Sequence, residues 1–123
     1  MPATITNLSA TNTAEGIQLS WSRPGTYADG ARMPDLGGFV IERAEGAEPH
    51  ASFARVETIT VSDRDRFRQV KRFRYLDRGT MPGLTYRYRV VSFTVDRYFS
   101  APSNLVTIEH ALPGDKHAPL PSA

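Results

Sequence analysis

The chain of 123 residues contains no cysteine, and this absence excludes several classes of protein. A disulfide framework, a thiolate zinc site and a catalytic thiol all need cysteine sulfur. A domain of this length buries enough apolar surface to fold without covalent cross-links. We therefore expect one conventional hydrophobic core.

Long apolar runs are also missing. No stretch approaches the 20 or so apolar residues that a membrane-spanning helix requires. The first five residues, Met-Pro-Ala-Thr-Ile, lack the charged region and apolar core of a signal peptide. We expect a soluble chain with no transmembrane segment and no signal segment in the given sequence. Two alternatives stay open for Met1: it is a natural start, or it replaces a signal segment that was removed.

The excess of charge is small, because 15 basic residues face 13 acidic ones and give a net charge of +2. A balance of this size gives no argument for binding to nucleic acid. Any basic binding surface must therefore be local.

Helical periodicity is absent, whereas alternation of apolar and polar residues recurs along the chain. The alternation predicts seven short strands, at residues 5–10, 16–22, 38–43, 53–61, 72–77, 85–93 and 104–109. The side chains expected on the core face include Trp21, Phe39, Ile41, Tyr75, Tyr86, Tyr88 and Val90. Seven strands bounded by turn residues predict an all-β sandwich.

Two predicted connections, 23–37 and 62–71, are long for such a fold, and binding residues are often carried on loops. Residues 112–123 contain three prolines, which favour an extended tail or linker. The predicted organisation is one domain, residues 1–111, followed by a Pro-rich tail, 112–123.

Several segments occur in an order that points to one family: 7–10, 16–21 with its tryptophan, 38–43, 75–77, Pro82-Gly83 before Thr85-Tyr86, and 100–104. Together they resemble a fibronectin type III domain, an immunoglobulin-like sandwich of seven strands. The resemblance implies that Tyr86 is the corner tyrosine, whose hydroxyl bonds to main chain near the preceding turn. It also implies binding, spacing or assembly, with no catalytic residues.

The stretch before the third strand is similar to bacterial, extracytoplasmic and lipoprotein-borne members of that family. This similarity implies a periplasmic or cell-surface location.

Arginines are dense after residue 62 and recur on the penultimate strand. The candidates for partner binding are Arg64, Arg66, Arg68, Arg72, Arg74, Arg87 and Arg89, the last two on the outward face of their strand. Such a cationic patch would suit an anionic surface, since Arg binds carboxylate and phosphate bidentately. The alternative is a solvated edge whose arginines pair with Asp63, Asp65 and Asp77. Nucleic acid is not expected, because no stacking platform is evident.

A second candidate, Arg97-Tyr98-Phe99, lies between the last two strands. Exposed aromatic rings make good interface anchors. In the alternative, at least one ring packs over the end of the core.

Residues for catalysis, metal binding or cofactor binding are not evident. The histidines lack the spacing of a zinc site, the Asp residues are too sparse for calcium, and no Gly-x-Ser-x-Gly occurs. We therefore predict no cofactor and no enzymatic activity.

The prediction is a non-catalytic protein-interaction module or accessory subunit of a larger, envelope-associated assembly. Two alternatives stay open: a passive spacer in a surface or tail assembly, and a non-catalytic appendage of a carbohydrate-active enzyme. The single tryptophan, Trp21, is expected in the core, which counts against sugar binding by an exposed tryptophan.

Overall fold

A computed structural model describes residues 1–46, 48, 52–67 and 71–111. The predicted tail, 112–123, lies outside the described residues. The strands are β1 Ser9–Asn12, β2 Ile17–Ser22, β3 Leu36–Glu45, β4 Ala54–Thr60, β5 Arg72–Asp77, β6 Thr85–Thr94 and β7 Val106–Glu109, and a short helix, α1, covers Asp63–Phe67.

The strands form two antiparallel sheets packed face to face. One sheet has the order β1-β2-β5 and the other the order β4-β3-β6-β7. Side chains alternate along each strand, so the inner faces of both sheets supply the core. The predicted seven-stranded, immunoglobulin-like sandwich is confirmed.

The core is centred on Trp21 of β2, which is fully buried. Its ring meets the edge of Phe39 at 5.3 Å between centroids and stacks on Phe73 at 6.4 Å. On β6, Tyr88 and Val90 are also fully buried. Tyr75 is partly buried against this cluster, which contains aromatic rings from both sheets.

Tyr86 occupies the corner that the family resemblance implies. Its hydroxyl accepts a hydrogen bond of 2.9 Å from the main-chain N–H of Met81, in the turn before β6. The predicted bond to main chain is therefore confirmed, with the hydroxyl as acceptor.

An acidic side chain is buried at the end of β5. Asp77 is 1% exposed, and one of its oxygens accepts hydrogen bonds from Arg43 at 2.7 Å and from the Tyr88 hydroxyl at 2.6 Å. Burial alone would lower the pKa of Arg43, but the hydrogen bond to Asp77 and its charge raise that pKa overall. The expectation that Asp77 pairs with the arginine cluster is wrong, because Asp77 pairs with Arg43.

Strand β1 begins later than predicted. Ile5 and Leu8 are buried, yet they precede the strand. The side chain of Asn104 accepts from the Leu8 N–H at 2.9 Å and donates to the Leu8 carbonyl at 3.0 Å. Asn104 thus replaces a strand neighbour for Leu8, and β7 correspondingly starts at Val106 rather than at Asn104.

The prediction contained no helix, but α1 occupies the second long connection. Ser62 caps it, because its hydroxyl accepts a hydrogen bond of 3.1 Å from the Asp65 N–H. Five residues are too few to show a helical period in the sequence.

Connections between strands gather at two ends of the sandwich. We call the end formed by residues 23–35, 61–67, 71 and 95–105 the upper end, and the opposite end the lower end. The N-terminal segment pairs with the first upper connection, where the Ala28 N–H donates to the Met1 carbonyl at 2.8 Å. Ala111 lies at the lower end, where its N–H donates to the Asn12 side chain at 2.9 Å.

Among the residues that the structure describes, no helix has the length and apolar character that crossing a bilayer would require.

Candidate functional site

The first upper connection, residues 23–35, folds as a compact hairpin against the end of the core. Thr26 and Arg32 form a β-bridge, and the Tyr27 hydroxyl donates to Asp35 at 2.6 Å. Met33 is 3% exposed and belongs to the core cluster. The loop is therefore held in place by both backbone bonds and burial.

A cleft of about 660 Å³ lies between this hairpin and α1. We call it the upper cleft. Its walls are Ser22, Arg23, Gly25, Arg32, Met33, Pro34, Arg66 and Lys71. Four of these side chains are cationic, and among the described wall residues none is a carboxylate. The cleft is therefore positive and has an apolar portion made by Met33 and Pro34.

Arg23 is held at the cleft by the pairing of β2 with β5. Its N–H donates to the Lys71 carbonyl at 2.8 Å, one step beyond the paired residues Ser22 and Arg72. Nη1 of the Arg23 side chain is buried and has no hydrogen-bond partner in the described part of the chain. Burial and then the nearby charge of Arg66 lower the pKa of Arg23.

Arg66 is fixed on the other side of the cleft. Its guanidinium donates to Asp63 at 2.5 Å and to the Leu36 carbonyl at 3.2 Å. The Asp63 pair is one that the solvated-edge alternative predicted, and it is confirmed.

The turn after β6 presents the second sequence candidate. The Tyr98 N–H donates to the Thr94 hydroxyl at 3.1 Å, and Arg97 adopts a left-handed backbone with φ of 67°. Tyr98 is 65% exposed. Phe99 lies 5.5 Å from Phe93 and is 42% exposed, so Phe99 is the ring that packs on the end of the sandwich.

A smaller hollow of about 130 Å³ connects the two features. Its walls include Arg66, Val95 and Arg97. Arg66 also borders the upper cleft, so the cationic cleft and the exposed turn share a boundary. The Val95 N–H donates to the Asp35 carbonyl at 2.9 Å, which ties the turn to the hairpin.

The predicted arginine patch is divided by the fold. Arg64 is exposed on α1 at the upper end, while Arg72 and Arg74 are exposed on the outer face of the β1-β2-β5 sheet. Arg72 donates to the hydroxyls of Ser20 and Ser22, at 2.6 and 3.1 Å. Arg68 lies outside the described residues.

Arg87 and Arg89 lie on the opposite side of the molecule, on the outer face of the β4-β3-β6-β7 sheet. Arg87 is only 6% exposed, because it donates to the carbonyls of Gly46 and Glu48. Arg89 pairs with Glu42 at 2.6 Å and lies 4.0 Å over the Phe53 ring. The structure does not bring Arg87 and Arg89 together with the arginines of α1 and β5, and Arg87 keeps its predicted outward face but is covered by the residues to which it donates.

Arg23, Arg32 and Lys71 were not among the predicted site residues. The signal for two of them was present, since Arg23 follows β2 and Lys71 precedes β5, and these strands pair antiparallel. Because Ser22 pairs with Arg72 at the upper ends of these strands, Arg23 and Lys71 lie side by side just beyond them. Arg32 lies in the first long connection, where the sequence predicted that binding residues could be found, but its place at the cleft depends on the hairpin.

Within residues 1–46, 48, 52–67 and 71–111, no three His, Asp or Glu side chains converge to hold a metal ion.

Comparisons with known proteins bear on the fold alone. No family model and no curated protein sequence matches the chain. An Fn3-like protein from Clostridium thermocellum matches at 17% identity with a TM-score of 0.60, over 91% of this chain and 96% of that one. The twitchin kinase region from C. elegans matches at 15% identity with a TM-score of 0.62, over 89% of this chain.

The chain spans 17% of the twitchin structure's length, as it would if it matched one domain there. Pectate lyase PelI from Erwinia chrysanthemi, solved with tetragalacturonic acid, matches at 19% identity with a TM-score of 0.57, over 85% of this chain and 28% of that one. These likenesses and the strand order agree with the family resemblance in the sequence. The chain has a fibronectin type III-like fold.

Proposed function

We propose that this protein is a non-catalytic interaction module that binds a partner protein through its upper end. A fibronectin type III-like sandwich fits an interaction or structural domain. The observation that carries the proposal is Tyr98, an aromatic side chain that is 65% exposed on a turn whose backbone is fixed by the bond from the Thr94 N–H to the Tyr98 carbonyl at 3.1 Å.

An aromatic side chain carried on a fixed turn costs little backbone conformational entropy when a partner buries it. Tyrosine is among the residues that most often dominate binding energy. Val95, 49% exposed on the same turn, adds apolar surface beside it. The partner that suits this surface presents an apolar pocket for the ring. The proposal includes an accessory role in an envelope-associated assembly outside the cytoplasm, which rests on the sequence resemblance.

Photo-crosslinking tests the proposal. A benzophenone amino acid replaces Tyr98 in one sample and Met81 in another, because Met81 is 62% exposed but lies at the lower end. Both proteins are irradiated with material from the native source, and the crosslinked protein is identified by mass spectrometry. We expect a specific crosslink from position 98 and none from position 81.

The affinity for the purified partner then shows whether Tyr98 contributes to binding or only lies near the partner. Tyr98→Ala should weaken binding by about 30-fold, as for a hot-spot residue. Met81→Ala should leave the affinity unchanged. Equal crosslinking at both positions, or equal affinity of both variants, would contradict the proposal.

The passive spacer is the second candidate, favoured by the positions of Met1 and Ala111 at opposite ends of the sandwich. A spacer would show no loss of binding when Tyr98 is changed. The likeness to PelI concerns the fold alone, and Trp21 is fully buried, so no exposed tryptophan supports an appendage that binds sugar.

A further inference from the structure

The upper cleft gathers positive charge without a matching negative charge. Arg23, Arg32, Arg66 and Lys71 border it, and in the described residues the Asp63 carboxylate pairs with one of them, Arg66. Like charges brought together repel each other, and the repulsion is strongest where water is excluded. Among the residues that the structure describes, Arg23, Arg32 and Lys71 therefore have no carboxylate partner.

A hydrogen-bond donor is also unused at this position. Nη1 of Arg23 is buried and unpaired within the described residues. A buried donor without a partner lowers stability, and native proteins have few of them. The lowered pKa of Arg23 has burial as its first cause and the charge of Arg66 as its second. A bound anion would supply the missing negative charge beside Arg23 and Arg66.

The size and lining of the cleft restrict what this anion is. A volume of about 660 Å³ lies within the range of small-molecule sites and exceeds what a single inorganic ion fills. Met33 and Pro34 add an apolar portion to the wall. Arginine, which supplies three of the four cations, binds the paired oxygens of carboxylate and phosphate.

We propose that the upper cleft is a binding site for an organic oxoanion, with its carboxylate or phosphate oxygens on Arg23, Arg32 and Arg66 and its carbon body against Met33 and Pro34. The oxoanion is either a free small molecule or a group carried by a bound partner. Lys71 adds charge at the rim. This site goes beyond the proposed function, because a small oxoanion is expected to bind the isolated protein without Tyr98 and without a partner protein.

Nuclear magnetic resonance of the arginine Nε–Hε groups tests the site directly. The isolated protein is titrated with succinate, inorganic phosphate or acetate at constant ionic strength, with chloride as the reference. We expect saturable shifts of the Arg23, Arg32 and Arg66 resonances with succinate or phosphate, and weaker binding of acetate because it carries one charge. Shifts that grow linearly without saturation, or that spread over all arginines, would overturn the proposal.

Matched variants distinguish the cleft from general attraction of anions. Arg23→Met keeps the length of the side chain and removes its charge, while Arg55→Met removes an exposed arginine from β4, on the part of the strand nearer the lower end. The first should lose at least tenfold in affinity, about the loss of one hydrogen bond to a charged group. The second should bind as the wild type does. Equal affinity of the two variants would overturn the proposal.

Thermal stability gives a second readout. Arg23→Met should leave the melting temperature unchanged or raise it if Arg23 binds ligand, and should lower it if Arg23 is structural. Without anion, Arg23→Met should melt at or above the wild-type temperature, because it relieves repulsion and an unpaired donor. Added succinate or phosphate should then raise the melting temperature of the wild type more than that of the variant. An Arg23→Met protein that melts lower and responds equally to anions would make Arg23 structural. If Arg23→Met does not fold, Arg32→Met replaces it in the binding assay, since Arg32 is exposed.

A blocked dipeptide, acetyl-Asp-Asp-amide, identifies the source of the oxoanion. Binding as tight as that of succinate would indicate acidic residues of a partner, and clearly weaker binding would indicate a free molecule. Either result supports the site, whereas failure of succinate, phosphate and the dipeptide alike overturns it. The test does not involve Tyr98, so the site and the proposed interaction through the exposed turn fail or succeed separately.

Discussion

The Tyr88 hydroxyl donates a 2.6 Å hydrogen bond to the Asp77 carboxylate, and neither residue is more than 1% exposed. Arg43 donates to the same oxygen at 2.7 Å, and the Gly79 N–H donates to the other at 3.0 Å. Asp77 ends β5 in one sheet, whereas Arg43 and Tyr88 belong to strands of the other. One carboxylate therefore connects the two sheets.

Asp77→Ala should destabilise the protein by about 3 kcal/mol. The change leaves the Arg43 charge and the Tyr88 hydroxyl without their acceptor, and breaking a buried ion pair is costly. We take the lower part of the usual range because the Arg43 side chain is 27% exposed. Urea unfolding measures the loss. Asp96→Ala, at an exposed carboxylate, should change stability by less than about 0.5 kcal/mol, and similar losses for both variants would contradict the role of Asp77.

Tyr88→Phe should reduce the loss of stability at alkaline pH. Burial, and then the hydrogen bond and charge of Asp77, raise the pKa of Tyr88 above its ordinary value. A raised folded-state pKa stabilises the fold fully below the unfolded pKa of about 10, and this contribution disappears as pH rises toward the folded value. The difference in stability between wild type and Tyr88→Phe should therefore shrink from pH 9 to pH 11 in urea unfolding. A constant difference across this range would rule out the linkage.

Tyr86→Phe should cost about 0.5 to 1.5 kcal/mol, the range for one hydrogen bond. The substitution leaves the Met81 N–H without its acceptor. The Met81 side chain is 62% exposed, so water can replace the lost hydroxyl as the hydrogen-bond acceptor. The loss should therefore fall in the lower half of that range. Thermal unfolding measures the stability, and amide hydrogen exchange should show faster exchange at Met81. Unchanged exchange at Met81 would contradict the hydrogen bond between its N–H and the Tyr86 hydroxyl.

Gly38→Ala should destabilise by about 1 to 3 kcal/mol through overpacking. A Cβ at this position would lie 2.1 Å from the Ile59 carbonyl oxygen and 2.6 Å from the Phe93 ring. The ring can move, but the carbonyl belongs to the backbone of the neighbouring strand. Gly25→Ala is the control, because nothing lies within 4 Å of its added Cβ, and its effect should stay within about 0.5 kcal/mol. Comparable unfolding midpoints for both variants would refute the close approach.

The sequence predicted the strands best where alternation was strong. The bounds predicted for β5 match those observed, and β2 differs by one residue. The misplacement of β1 has a physical cause, since Ile5 and Leu8 are buried like strand residues but Asn104 satisfies the Leu8 backbone. A contact between residues 96 positions apart cannot be predicted from the local alternation of apolar and polar residues.

The candidate site was less accessible from the sequence. Tyr98 could be selected because exposed aromatics in a loop are unusual, and the structure shows it exposed. The upper cleft depends on how a hairpin, a helix and two strand ends meet. Proximity in the sequence grouped Arg66 with Arg72, whereas Arg66 borders the cleft and Arg72 lies on the outer face of a sheet. Charge density alone therefore did not predict which arginines share a surface.

The opposite positions of Met1 and Ala111 also bear on how the protein should be handled. A fluorophore, affinity tag or fusion partner joined to the N-terminus would emerge beside the hairpin that walls the upper cleft. The same label attached after Ala111 would emerge at the far end of the sandwich. Immobilisation through a label placed directly at Ala111 would thus leave Tyr98 and the cleft facing the solution, while N-terminal capture would obstruct them.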